Sequence, residues 1–223
     1  MKEYYQTISN ATEGFYKEKG SKFIAYAFPI HSRDDANDRL NDVKKMHIKA
    51  RHFCFAWRLG YVGDLFRAAD DGEPSGTAGK PILGQIDKLA LTNVMVIVVR
   101  YFGGTLLGTS GLIRSYREAT VDAFAKATIS KYPILDVHRL TFGYDLMSQV
   151  MGAVKKSGLE IIKQEFTDNG LLELGIPFKE VDDVLLKIKA DISSISTNQA
   201  SMEEWPTGVK VELIRKGIDY LGG

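Results

Sequence analysis

Residues 70–117 read DDGEPSGTAGKPILGQIDKLALTNVMVIVVRYFGGTLLGTSGLIRSYR. The unbroken apolar run from Val94 to Val99 in this stretch predicts a strand covered on both faces, hence one central in its sheet. A glycine-rich turn at 102–108 follows, then a helix from about Gly108 to Ile129. Before the strand, the loop Asp70–Leu83 crowds small residues, carboxylates and prolines together, and Pro81 suits the first turn of a short helix over 82–91. Glycine-rich turns feeding helix starts leave backbone N–H groups free for an anion.

Working outward, GSKFIAYAFPI (20–30) alternates as a strand. Residues 32–50 follow as a helix, with Leu40, Val43 and Met46 on one face, and His52–Leu59 as a second strand with Phe53, Phe55 and Trp57 on one side. LFRAA (65–69) is a further short extended piece. Past Leu135 a simpler rhythm begins: a strand over 138–146, a helix over 148–158 with a glycine stop, strands over 159–166 and 171–178, a helix over 179–191 and a polar last strand over 192–202. The order β-α-β-β-α-β is the ferredoxin-like arrangement, a fold with many unrelated functions. The expectation is an α+β chain of two domains, 1–135 and 136–205, with 206–223 as a tail.

Composition excludes several classes. The hydrophobic share of 44% and charged share of 26% suit a globular chain with a core in each half. The one cysteine, Cys54, lies in the apolar run HFCFAW and builds no disulfide framework. The amino terminus lacks the apolar core of a signal peptide, and no run approaches a membrane span, so a cytoplasmic protein without membrane contact is expected. The net charge of +1 hides an asymmetry: residues 1–135 carry 19 Lys and Arg against 14 Asp and Glu, +5, and the rest 10 against 14, −4. The first half is the one to meet an anion, although the bias is far from a nucleic-acid-binding composition.

Gly79-Lys80 resembles a phosphate loop, but Pro74 stands where a Walker loop needs glycine and Pro81 where it needs Ser or Thr. Gly103, Gly104, Gly108 and Gly111 miss the dinucleotide spacing. Asp70, Asp71 and Glu73 with His52 offer hard ligands, yet turn, capping and ion-pair roles explain them more simply. Ser75, Thr77, Thr109 and Ser110 form no nucleophile elbow, and His31, His47 and His138 have no metal-ligand spacing. No catalytic residue, metal or cofactor is expected. What survives is an anion-binding surface: Gly103, Gly104 and Gly108 at the helix start, Lys80, Arg100, Arg114 and Arg117 around it, and Tyr101 and Tyr116 as stacking faces. The competing explanation is close backbone packing, with the arginines paired to Asp70, Asp71, Glu73 or Glu118.

These segments resemble the IMPACT family, in particular its bacterial YigZ- and YvyE-like members. The pattern is carried by His52, by Asp70, Asp71, Gly72, Glu73, Pro74, Ser75, Gly76, Thr77, Ala78, Gly79 and Pro81, and by Arg100, Tyr101, Phe102, Gly103, Gly104, Leu107, Gly108, Gly111, Leu112 and Tyr116. Gly20, Ser21, Lys22 and Phe23 look like the family's first strand. The resemblance implies that the first half adopts a fold like the second domain of ribosomal protein S-five, also seen in elongation factor G. The second half then resembles that factor's small carboxy-terminal domains. Both analogies point to the ribosome. The expected function is thus a non-enzymatic protein that binds RNA or a ribosomal surface through its first domain and modulates translation. Alternatives are a nucleotide or phosphometabolite site at the glycine-rich turn, with or without chemistry, and a protein-interaction module using the acidic second half.

Overall fold

The computed structural model describes residues 3–219. The chain divides into two compact units, one of Tyr4–Tyr132 and one built from Pro133 onward together with Glu3.

The first unit runs β1 (Tyr4–Ile8), β2 (Thr12–Glu18), β3 (Ser21–Pro29), α1 (Arg33–Met46), β4 (His52–Leu59), β5 (Leu65–Ala69), α2 (Gly79–Lys88), β6 (Val94–Tyr101) and α3 (Gly108–Ala125). Its sheet has the order β2-β3-β6-β4-β5 with every neighbouring pair antiparallel. The all-apolar β6 is central, as its composition requires. Its two faces feed two cores. Val94, Val96 and Val98 pack with Ile82 and Ile86 of α2 and with Leu112, Tyr116, Ala119 and Ala123 of α3. Met95, Ile97 and Val99 pack with Phe53, Phe55, Trp57 and the α1 residues Ala36 and Val43. The α3 residues buried are spaced three and four apart, the signature of one helical face. Helix α1 starts on the Ser32 side chain, which accepts from the Asp35 N–H at 3.0 Å.

Two strands escape the sequence reading. Strand β1 is tied to the link before β6, with the Thr92 N–H donating to the Gln6 carbonyl at 2.9 Å. Strand β2 is the hairpin partner of β3 across a Lys19-Gly20 turn in which both residues have positive φ. Its TEGFYKE sequence buries Phe15 only half and shields Gly14 against α3, so it lacks the clean alternation that marks β3.

Strand β7 (Ile129–Phe142) starts within the first unit and has most of its length in the second, where a short 3-10 turn, α4 (Met147–Ser157), β8 (Glu160–Phe166), β9 (Gly170–Pro177), α5 (Val181–Ser193), α6 (Thr197–Ala200) and β10 (Val209–Asp219) follow. The strands lie in the order β10-β7-β9-β8, all antiparallel. Leu140, Phe142, Leu172, Leu174 and Ile176 cover one face with Val150 and Val154 of α4 and Ile188 and Ile192 of α5. Gly158 stops α4 in the left-handed conformation, φ 68°.

The last strand is where the sequence reading is corrected. Residues 192–202 are no strand: α5 continues through Ser193, Ser194 turns left-handed, and Ser196 with Gln199 forms a capping box that starts α6. The fourth strand is β10, inside the stretch expected to be a tail, where VKVELIRKGID alternates and pairs with β7. Serine-rich runs favour caps over ladders because their hydroxyls compete for backbone groups.

Candidate functional site

The loop between β5 and α2 is built around three carboxylates, all directed into the first unit. Asp70 accepts from the N–H groups of Gly76 (2.7 Å), Ala78 (3.0 Å) and Gly79 (2.8 Å). The start of α2, which has no side-chain cap of its own, is thus capped by a carboxylate of this same chain. Burial pushes the Asp70 carboxyl upward, but the three backbone donors outweigh it and hold it below the usual carboxylate range. Asp71 accepts from the Phe53 N–H at 2.7 Å, and its carbonyl receives His52 Nδ1 at 3.0 Å.

Glu73 reaches deepest. Its side chain is 4% exposed and its Oε1 accepts from Arg100 at 2.6 Å and from the Tyr116 hydroxyl at 2.8 Å. Tyr116 lies 3.2 Å from the Cys54 thiol, which also meets the Asp70 carbonyl at 2.9 Å. Burial, with the charges of the neighbouring carboxylates added, pushes the Cys54 thiol far above its ordinary range, so it is no nucleophile at neutral pH. Close packing explains the loop's last glycine: a Cβ on Gly79 would stand 2.6 Å from the Ala69 nitrogen. Thr77 closes the turn by donating to the Pro74 carbonyl at 2.6 Å. Gly72 and Gly76 both take positive φ. Among the described residues, no group of three His, Cys, Asp or Glu side chains is placed to hold a metal ion.

The structure does not gather the expected anion contacts into one cluster. Arg114 pairs with Glu18 at 2.8 Å and Arg117 with its neighbour Glu118 at 2.9 Å. Both are half-exposed pairs, a kind worth roughly 0–1 kcal/mol, so either can be exchanged for a phosphate at low cost. Lys80 is exposed on α2, where its charge helps hold Asp70 ionised. Tyr101 is engaged: its hydroxyl meets His47 Nδ1 at 2.9 Å, and Tyr26 meets the other ring nitrogen at 2.8 Å. Burial holds the His47 imidazole below its ordinary value and so keeps it neutral between the two phenols. The turn at 102–107 needs its glycines for different reasons. A Cβ on Gly103 would lie 2.0 Å from the Gly20 carbonyl carbon, whereas Gly104 and Gly108 face open space but take positive φ. Helix α3 begins without a side-chain cap.

What the structure does bring together is a pocket of about 210 Å³ lined by Lys49, Arg51, His52, Arg100, Tyr101 and Phe102. Antiparallel pairing of β4 and β6 sets His52, where one strand begins, opposite Arg100, where the other ends. The Arg100 guanidinium is held between the rings of Phe23 (5.5 Å) and Phe102 (5.6 Å), and its Nε has no hydrogen-bond partner. Lys49 and Arg51, on the link from α1 to β4, are exposed and form no ion pair among the described residues. Phe102 is 58% exposed. Lys49, Arg51 and Phe102 were missed as site residues by sequence reasoning. The signal was the alternating basic run HIKARH at 47–52, which ends on a residue already singled out.

Comparison with known proteins agrees with this architecture. The Impact N-terminal domain matches residues 19–124. An IMPACT family member of Haemophilus influenzae is 35% identical over 166 residues, covering 74% of this chain and 81% of that protein. The Escherichia coli IMPACT family member YigZ is 31% identical over 188 residues, covering 83% and 92%. A crystal structure of a hypothetical protein superposes with a TM-score of 0.76 at 27% identity, over 96% of this chain and 99% of that one. The relatives span both units and not the first alone, and on these grounds the chain belongs to the IMPACT family.

Proposed function

We propose that the protein binds RNA, on the ribosome or free, through the first unit and by doing so modulates translation. The observation that carries this reading is the basic pocket: two cations without acidic partners among the described residues, an imidazole and a buried guanidinium converge beside an exposed aromatic ring. Phosphate contacts and base stacking are the two terms that hold single-stranded RNA, and this surface offers both. Outside this pocket, Lys80 on α2, Arg114 and Arg117 on α3 once released from their glutamates, and the uncapped start of α3 beyond Gly103, Gly104 and Gly108 would serve as secondary phosphate contacts. The strand order β10-β7-β9-β8 with two helices on one face supports a ferredoxin-like second unit. We take the first unit to share the fold of the second domain of ribosomal protein S-five. The 70–79 loop serves as the brace that holds His52, through the Asp71 carbonyl, and Arg100, through the Glu73 carboxylate, which argues for recognition over catalysis.

The test is co-sedimentation with ribosomes over a salt series, using the full chain and a Lys49→Ala, Arg51→Ala double variant. Binding should weaken steeply with salt, because each neutralised phosphate releases counterion, and the variant's log–log slope should be shallower by up to about 2. Salt-independent binding, or none at low salt, would overturn the reading.

A further inference from the structure

Resting on the RNA reading, we propose that the basic pocket receives the phosphomonoester end of an RNA strand, in preference to a phosphodiester within it. Three observations lead there.

The first is size. At about 210 Å³ the pocket is smaller than the ~300–1,000 Å³ of sites that enclose a drug-sized ligand. Such a space admits a phosphoryl group and the sugar that bears it, but not a whole nucleotide with its base. The base would stay outside, where Phe102 presents a ring already stacked on the Arg100 guanidinium and 58% open to solvent.

The second is charge. Glu73 neutralises Arg100 from the protein side, but Lys49 and Arg51 meet no acid among the described residues. Two uncompensated cations lining one small cavity exceed what the single charge of a diester balances. A monoester carries about −1.5 to −2 at neutral pH and three terminal oxygens, and so matches them.

The third is preorganisation. His52 donates its Nδ1–H to the Asp71 carbonyl, which leaves Nε2 as a fixed acceptor for a hydroxyl of the phosphoryl group or of its sugar. Arg100 is fixed by Glu73 and by two aromatic rings, and it lines the pocket while 93% of it is buried. The 70–79 loop thus determines the positions of both groups before any ligand arrives. An end-on phosphate gains from such fixed donors, whereas a strand passing across the surface engages mobile lysines equally well.

A phosphomonoester on a nucleoside is the chemistry shared by an RNA end and a free mononucleotide, and the experiment separates them. Fluorescence anisotropy would follow the full-length protein with one short, internally labelled RNA carrying a 5′-phosphate, a 3′-phosphate or hydroxyls at both ends. Adenosine 5′-monophosphate and inorganic phosphate would serve as competitors. We expect one phosphate-ended RNA to bind at least tenfold more tightly than the hydroxyl-ended RNA, and the Lys49→Ala, Arg51→Ala variant, with an unchanged thermal midpoint, to lose that advantage. Equal affinity for all three RNAs would overturn the inference and leave the RNA reading standing. An end preference that persists in the variant would overturn the placement in this pocket. Failure of every RNA together with binding of the mononucleotide would overturn both the RNA end as the source of the phosphate and the RNA reading itself.

Discussion

Two neighbouring stretches of the first unit use their charges in opposite ways. In the 70–79 loop Asp70, Asp71 and Glu73 are each bound to groups of the same unit: helix N–H groups, a strand N–H, and an arginine with a tyrosine. In the 49–52 link Lys49 and Arg51 line a pocket with no acid to meet them among the described residues. The contrast teaches that the most conspicuous motif in a sequence can be scaffold, while the groups left for a partner stand in an unremarkable segment beside it. It also changes which substitution probes function. Arg100 lines the pocket, yet it is the buried partner of Glu73, so removing it tests folding before binding.

The largest expected effect breaks the scaffold side of this contrast. Glu73→Ala leaves the Arg100 charge buried without a counterion and the Tyr116 hydroxyl without its acceptor. Urea unfolding should show a loss of about 3–5 kcal/mol. A variant of wild-type stability would show that the loop is not a brace. Gly103→Ala forces a Cβ to within 2.0 Å of the Gly20 carbonyl carbon, and either the turn or the β2–β3 hairpin must shift. Overpacking of this kind costs about 1–3 kcal/mol, readable as a lower midpoint of thermal melting.

Asp70→Asn sharpens the comparison through pH. The folded Asp70 carboxyl lies below its ordinary value, so its contribution is fully present above about 3.9 and is lost as the pH falls through the folded value. The variant should lose about 1–3 kcal/mol at neutral pH and, relative to wild type, progressively less at acid pH. Melting curves between neutral pH and acid should therefore converge. The smallest effect on stability belongs to Lys49→Ala with Arg51→Ala, within roughly 0.5 kcal/mol of wild type, because both side chains are exposed and form no ion pair among the described residues. This is the variant for which binding, and not folding, should change.

Much of the architecture was legible in the chain. The apolar β6, the strands β3 and β4 and the helices α3, α4 and α5 announce themselves because each buries a face at its own period. Other elements did not: β1 is only five residues long, β2 shows only weak alternation, and β10 is less conspicuous than a serine-rich stretch that the fold uses as helix caps. Of the site, His52, Arg100 and Tyr101 were readable because they belong to a recognisable pattern. Lys49 and Arg51 were not, since exposed cations have no period and make a site only by where the strands end, and Phe102, though part of the pattern, gives no sign in the sequence of its place beside Arg100.

The sequence by itself determined the mixed α/β character, the central strand and the family, because these depend on residue order and local periodicity. Which charges are satisfied and which are free was decided only by tertiary structure. A carboxylate at position 73 is solvated, paired or capping according to what lies across 27 residues of chain from it, and here that is Arg100 at 2.6 Å.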